Sequence, residues 1–388
     1  MSNSVRAGKI EEEKLKRFRL LQSFQKVLKQ VSDRKGLDAT WSDPKRKLQL
    51  CDYLSLYLFS LFNPVIDSMR GACAASQLSR VSKKVCSSSV SLGSFSEAQH
   101  LVDEELLHLV FDQLRNELPD QKNVRGLERL KAMNPKIVDS SVWRVYDRMS
   151  WALWRPVSGG RNTTSDSAIR AHVVFDLVKG VPEEAKVTSA KACERKIWKE
   201  LAEPGNLYVG DRYYSYNYSL LGQMVDKGIH FLVRARIDSQ WVVEKELPLT
   251  EEDQAEGVCC SAWVRLGKNG DGPRVRVVQV VGAEEAMLLL TSLPEKDLSA
   301  AEVRLLYKHR WQIEYFFYWL KCILGNRHWF CETSKGIQVQ VYLALIAAVL
   351  LMLLTGKRPN KRSMEAIQFF TNGWATEEDL VEQLSRYA

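Results

Sequence analysis

The chain has 388 residues, 45% of them hydrophobic and 26% charged, and its 55 Lys and Arg exceed its 47 Asp and Glu for a net charge of +8. These proportions exclude wholesale disorder, collagen-like repeats and coiled-coil design, and the length calls for two or three domains. The basic excess permits a polyanionic partner without requiring one.

The first segment, RAGKIEEEKLKRFRLLQ, has no apolar core behind its charges and does not read as a signal peptide. Residues 10–36 alternate apolar and basic positions. They predict an amphipathic helix with Lys14, Lys16, Arg17, Arg19, Lys26 and Lys29 on its wet face. A second helix is expected from Lys45 to Phe62, stopped by Pro64. Ser94-Phe-Ser-Glu97 has the capping-box pattern and predicts one helix from there to Leu114. Residues 1–118 therefore read as an all-helical, mildly basic region.

The texture changes near residue 135. KIVDSSVWRVY (136–146) and AIRAHVVFDLVKG (168–180) read as strands, 186–188 as a short strand, and 189–202 as a helix. NLYVGD (206–211) is a short apolar strand, 216–227 a helix and 229–236 another strand. This is a mixed α/β domain, expected over 125–335, with a mostly β insert at 237–290 that holds strands at 275–281 and 286–293. Ser299-Ala-Ala-Glu302 is a second capping box and predicts one long helix to Leu324. The remaining region, 336–388, reads as helical. Its run VQVYLALIAAVLLMLL (339–354) is shorter than the roughly 20 residues of a membrane span. A buried helix is the expectation, and no membrane partner. Eight cysteines form no C-x-x-C pair and read as reduced, buried thiols of a cytosolic protein. Six histidines lack zinc-ligand spacing.

Chemistry concentrates on the helix after Ser299. Tyr307, Arg310, Glu314 and Lys321 fall within an arc of about 60° on a continuous helix. An exposed Arg-Glu pair at i,i+4 is the bland reading of this stripe. Asp211 ends an apolar strand, where an α/β sheet binds its ligands, although a helix-capping Asp would look the same. Asp139 sits mid-strand among apolar neighbours, and a buried carboxylate needs a cation or a metal. Asp147, Asp166 and above all Asp176 are rivals for its place. Two strand aspartates and a helix glutamate are the ligand types of a two-metal phosphoryl-transfer site.

These residues carry a resemblance. Tyr307-x2-Arg310-x3-Glu314-x6-Lys321, in YKHRWQIEYFFYWLK, resembles the YREK signature of the insertion-sequence 4 family of DDE transposases. GDRYYSY around Asp211 resembles that family's second-Asp segment, D-R-G-Y, with Tyr213 in place of the glycine. VDSSV around Asp139 resembles the first-Asp segment, D-G-S or D-S-T. The resemblance spans roughly 135–335.

It implies an RNase H-like catalytic core carrying the β insert; the helical reading and the basic stripe of 14–29 make residues 1–118 the expected DNA-binding region before it. It implies an enzyme of cut-and-paste DNA transposition that cleaves strands and transfers them. Asp139, Asp211 and Glu314 would ligate two Mg2+ ions, for which Mn2+ would substitute, and Tyr307, Arg310 and Lys321 would contact the phosphates of the element's ends. Trp311, Trp241 and Trp263 are candidates for stacking a flipped base, with ordinary packing as the competing reading. The implied partners are double-stranded DNA, as transposon ends and target, and a second copy of the chain when assembled on DNA. The implied location is the nucleoid of a prokaryotic cytoplasm. An RNase H-like nuclease and an inactive, transposase-derived DNA-binding protein are the alternatives.

Overall fold

A computed structural model describes residues 20–36, 41–120, 128–156, 165–282, 286–324 and 329–387. The chain forms two compact units, one of residues 1–119 with 317–388 and the other of 120–316.

In the helical unit, α1 (Leu20–Lys35) buries Leu21, Phe24, Val27 and Leu28 and exposes Lys26 and Lys29, as its periodicity dictates. The other four cations of the expected basic stripe lie outside the described residues. The second helix, α2 (Leu50–Phe62), starts five residues later than expected. Lys45, Arg46 and Lys47 would put three cations at a helix N-terminus, against its dipole. Instead Arg46 covers the Trp41 ring at 4.5 Å and donates to the Leu48 carbonyl. Next come α3 (Met69–Ser76), α4 (Ser79–Lys84), α5 (Leu92–Leu101) and α6 (Glu104–Asn116). The single helix expected from Ser94 to Leu114 is thus two. Ser91, not Ser94, caps α5 by accepting from the Ser94 amide at 3.1 Å, and Asp103 caps α6.

The sheet unit opens with β1 (Pro135–Arg144), followed by β2 (Leu153–Pro156), β3 (Ser165–Asp176) and β4 (Val181–Ser189). The turn into β4 uses Gly180 at φ 72°, and β4 pairs along most of β3, much longer than the three residues expected. Helix α7 (Glu194–Leu201), β5 (Leu207–Gly210), α8 (Tyr218–Asp226) and β6 (His230–Arg234) complete the central part. β5 runs parallel to both β1 and β6, while β3 runs antiparallel to β1.

The insert supplies β7 (Trp241–Glu246), the short α9 (Glu251–Ala255), β8 (Val258–Leu266), β9 (Arg274–Val280) and β10 (Met287–Thr291). It is mostly β, as expected, but it does not stand apart. β10 pairs with β6, so the insert prolongs the central sheet, whose order is β2-β3-β1-β5-β6-β10-β9-β8-β7 with β4 also on β3. β7 and β8 escape sequence reading for different reasons. β7 is an edge strand with most side chains exposed, and in β8 the burial alternates only from Ala262 to Leu266, with Cys260 and Ser261 breaking the pattern before it. Two helices follow, α10 (Ala300–Lys308) and α11 (Trp311–Leu324), in place of the one expected.

The C-terminal part of the helical unit holds α12 (Ser334–Thr355), α13 (Lys361–Thr371) and α14 (Glu377–Tyr387). Thr333 caps the start of α12, and Gly356 ends it at φ 69°. Among the described residues α12 is the one helix long and apolar enough to cross a membrane, yet it is buried almost throughout inside its unit. Gln340, which interrupts the apolar run, is satisfied there: its Oε1 accepts from the Tyr57 hydroxyl at 2.7 Å and the Phe330 amide at 3.1 Å. The seven cysteines whose side chains are described, all but Cys322, are free. Cys73, Cys86 and Cys331 are buried, Cys51, Cys193 and Cys260 are half-buried, and Cys259 is exposed, so burial of the thiols is only partial.

Three central residues of the sheet unit have surroundings that bear on its stability. Asp176, the rival first acid, is buried at the end of β3. It pairs with Lys136 Nζ at 3.6 Å and accepts from the Val178 and Lys179 amides at 2.9 and 3.0 Å. Its charge is met by that ion pair. Gly210 ends β5 because a Cβ there would lie 2.9 Å from Cδ2 of buried Tyr214. His172 is buried on β3 with Nε2 2.9 Å from the Thr188 hydroxyl. Burial, with help from the Arg170 and Lys186 charges, pushes its pKa from 6.5 down to about 4.

Two outcomes follow from these positions. Gly210→Ala should cost about 1–3 kcal/mol, because Tyr214 is packed against Trp198 at 5.3 Å and cannot yield, and urea unfolding measures it. For His172, the unfolded chain takes up a proton below 6.5 that the folded chain refuses until about 4. Stability present above pH 6.5 should therefore fall by on the order of 3 kcal/mol as the pH drops through that window. His172→Gln should flatten the decline in urea titrations at pH 7 and pH 4.5; an unchanged decline would assign it to other groups.

Candidate functional site

Asp139 and Asp211 owe their positions to parallel strand pairing. The β1–β5 register ends at Ile137 opposite Val209, so Asp139 and Asp211 each lie two residues further along adjacent strands. β5 stops at Gly210, and Asp211 turns the chain into a short 3-10 segment, its Oδ1 accepting from the Tyr213 amide at 2.8 Å. The capping reading of Asp211 is therefore also true; one carboxylate oxygen does that work. Asp139 Oδ1 likewise accepts from the Ser140 amide at 2.7 Å.

The remaining residues come from the break between α10 and α11. The amides of His309, Arg310, Gln312 and Ile313 bond three residues back, to Leu306, Tyr307, His309 and Arg310. This tightening interrupts the α-helix. Tyr307 and Arg310 are thereby buried side by side, and Glu314 lies in the first turn of α11. The Arg310 guanidinium then serves two acids. Its Nη2 donates to Glu314 Oε1 at 2.7 Å, and its Nη1 lies 3.6 Å from Asp139 Oδ2. Its ring neighbours are Trp311 at 5.2 Å and Tyr307 at 5.9 Å, and its buried Nε has no partner among the described residues. The i,i+4 pair of the bland reading is present but only half on the surface: the Arg310 side chain is 11% exposed and that of Glu314 38%.

The electrostatics bind these groups into one cluster. Burial pushes the Asp139 carboxyl up to about 7, and the charges of Asp211 and Glu194 push the same way against the Ser140 amide and Arg310. Burial also raises the Tyr307 phenol, which Arg310 and Arg234 pull down and Asp211 pushes up. The buried Tyr214 phenol is driven far up by desolvation, and it feels Glu194, Asp139 and Asp211 together. Arg310 is held above its ordinary range by Tyr307, Glu314 and Asp139, although burial opposes this most strongly of all.

Glu194 and Arg170 were not singled out by the sequence. Arg170 on β3 bonds Glu194, in the first turn of α7, and donates to the Ser140 hydroxyl at 3.0 Å. It thus ties the residue after Asp139 to a fourth acid. An Arg in a β alternation and a Glu opening a helix are both ordinary, so only their convergence marks them. Exposed aromatics with cations on them follow Asp211 and Arg310 in the chain: half-buried Arg195 over Tyr213 at 4.7 Å, Arg236 over Tyr216 at 5.3 Å, and Trp311, 56% exposed. Of the other tryptophans, Trp263 lies under Arg274 at 4.1 Å and donates to Glu295, and Trp241 packs on the core. Lys321 is exposed on the part of α11 that belongs to the helical unit. Asp147 is exposed, and the Asp166 side chain lies outside the described residues.

Hard carboxylate oxygens suit a divalent cation of the Mg2+ or Mn2+ type. Asp139 and Asp211, whose like charges bear on each other in a partly buried setting, have the donor chemistry for one. In this conformation, however, the cation facing Asp139 and Glu314 is Arg310. Among the described residues no three ligating side chains converge on one point.

Comparison with known proteins gives this geometry a context. The chain is 27% identical over 208 residues to a protein of Sinorhizobium fredii named transposase y4zB, covering 52% of this chain and 57% of that one. It is 23% identical over 240 residues to a Geobacillus stearothermophilus protein named as a transposase for insertion sequence element IS5377, covering 60% of each. The matches thus span about three fifths of those relatives' length. Among solved structures, a piggyBac transposase synaptic complex with hairpin DNA aligns over 98% of this chain and 82% of its own, at 10% identity and a TM-score of 0.41, too low a likeness to argue from. Residues 132–350 match the family described as Transposase DDE domain. That match takes in β1, β5, the insert and both helices of the Arg310 turn, and the chain belongs to that family.

Proposed function

We propose that this chain is a DNA transposase that cleaves and joins strands by metal-dependent phosphoryl transfer, moving an insertion sequence by a cut-and-paste route. The observation that carries the reading is the shared guanidinium: Arg310 faces Asp139 on β1 and Glu314 on α11, while Asp139 feels the charge of Asp211. Three acids from distant parts of the sequence thus bear on one small region. The strand order supports an RNase H-like core. Counting only the strands before the insert and leaving out β2, the sheet runs third, second, first, fourth, fifth, with the second antiparallel to the first and the fourth and fifth parallel to it. The acids then follow from the first and fourth strands and from a helix beyond the insert.

Members of the family use divalent metal ions, and Asp139, Asp211 and Glu314 are the residues that would hold them here. Bound there, such ions activate the attacking hydroxyl and stabilise the leaving oxygen. The chain's own groups do the positioning. Arg310 offers a planar fork for a phosphate, Tyr307 a hydroxyl and Lys321 a point charge. The exposed Tyr213, Tyr216 and Trp311 offer ring faces, and of these Trp311 is the better placed of the three tryptophan candidates. The helical region before β1 would supply further grip on double-stranded DNA, with two copies of the chain assembled on two ends, in the cytoplasm of a prokaryote.

The test uses labelled DNA carrying the inverted repeats that flank the gene. Asp139→Ala, Asp211→Ala and Glu314→Ala should each abolish cleavage and leave binding largely intact. Asp176→Ala should lower stability while folded protein still cuts. Cutting without joining would instead favour a nuclease, and binding without cutting by the unaltered chain an inactive DNA-binding protein.

Arg310 allows a measurement without DNA. It now neutralises two of the proposed ligands, so Arg310→Ala should tighten Mn2+ binding by about tenfold, equivalent to about 1.4 kcal/mol, in titration calorimetry. Unchanged or weaker binding would mean that Arg310 organises the acids rather than competing for them.

A further inference from the structure

The insert reaches the proposed site through one helix end. α10 begins at Ala300 behind a complete capping box, Ser299 with Glu302, so its first turn already has local partners. The insert adds three more. Asp253 on α9 is buried, and its carboxylate serves two chain ends at once: Oδ2 accepts from the Thr250 amide at 3.0 Å within its own capping box, and Oδ1 accepts from the Ala301 amide at 2.7 Å. Glu256, just beyond α9, pairs with Arg304 at 2.6 Å one turn along α10. Arg276 on β9 donates through Nη2 to the Leu298 carbonyl, just ahead of the helix.

Arg276 is the odd member. It is 0% exposed, and its Nε and Nη1 have no partners among the described residues. A buried guanidinium so placed is costly unless acids nearby offset it. Asp253, Glu295 and Glu302 bear on it, and all three lie around the start of α10. The cation is therefore held where it neutralises the carboxylates that cap this helix. A negative group at a helix N-terminus is favourable in its own right.

At the other end of α10 stand Tyr307 and the tightened turn that presents Arg310. Ala301 and Tyr307 are six residues apart, about 9 Å along a rigid helix. Whatever fixes the first turn fixes the last. We infer that the β insert is a brace for the Tyr307–Arg310 turn, and that Asp253 is a positioning residue for its engagement with DNA ends, an inference that rests on the function proposed above.

The test compares the full-length chain with Asp253→Ala, the milder Asp253→Asn and Arg304→Ala, first by hydrogen exchange. Asp253→Ala should speed exchange across 300–312 by about fivefold or more, the order expected for a lost cap, and leave β1 and β5 unchanged. Asp253→Asn, which keeps one acceptor, should recover part of the protection. Next, binding to labelled ends is measured at several salt concentrations for Asp253→Ala, Arg310→Ala and the double variant. If Asp253 acts through the turn, the single change should lower the salt slope, and the double variant should bind like Arg310→Ala alone. Unchanged exchange over 300–312, or losses that multiply in the double variant, would overturn the brace. Should Asp253→Ala fail to fold, Asp253→Asn and Arg304→Ala carry the same comparison. Failure of the unaltered chain to cut DNA would refute the proposed function and leave the exchange result standing.

Discussion

Like charges held close together in a partly buried place are the constraint on which the rest of this molecule turns. Parallel pairing of β1 with β5 leaves Asp139 on one strand and Asp211 just past the end of its neighbour, and burial makes their mutual repulsion stronger than it would be in water. Such an arrangement persists only if cations stand nearby or protons are taken up. Here Asp139 is pushed up to about 7, by burial first and by the Asp211 charge after it, and Arg310 comes within 3.6 Å of it. A fold built only for stability would replace such acids with apolar side chains of similar size.

Much of the architecture was legible because its signals are local. Alternation marked β1, an apolar run ended by Gly180 marked β3, a short apolar run marked β5, and Ser299 with Glu302 marked the true start of α10. The readings that went wrong each met a stronger local competitor. Ser91 took the cap that Ser94 had seemed to offer. Arg46 preferred Trp41 and a carbonyl to the first turn of α2. The long helix after Ser299 broke because residues 309–313 bond three residues back, which no apolar period reveals. The attachment of the insert to β6 through β10 was not legible at all, since strand pairing across some 55 residues leaves no local trace.

The site was legible to the extent that its residue types are unusual in their settings. A carboxylate mid-strand and a Tyr-Arg-Glu-Lys stripe both stand out against ordinary patterns. Asp176 was the strongest rival to Asp139, and its pairing with Lys136, together with the Val178 and Lys179 amides, is what the structure sets against it. Glu194, Arg170 and Arg276 were invisible for the converse reason: each is unremarkable in sequence and acquires meaning from what the sheet brings beside it.

The charge arrangement has an inner and an outer part, and the two ask for different things. Inside, Asp139, Asp211, Glu194 and Glu314 outnumber the cations that touch them, Arg310 and Arg170. Outside, Arg195 and Arg236 lie on the rings of Tyr213 and Tyr216, and Trp311 is open to solvent. A site that only gripped a polyanion would place cations at its centre, since phosphates are repelled by clustered acids. A site that only held metal would need no aromatic and cationic rim. The combination suits a ligand that is negative at its backbone and flat at its bases, drawn in by the rim and met at the centre through positive ions. Arg310 belongs to both parts: it faces the acids now, yet its unpartnered Nε and its fork are what a phosphate would use. In the proposed function, the residue that now faces the acids is thus also one that must meet the DNA, which is why the placing of one short turn matters so much to the whole.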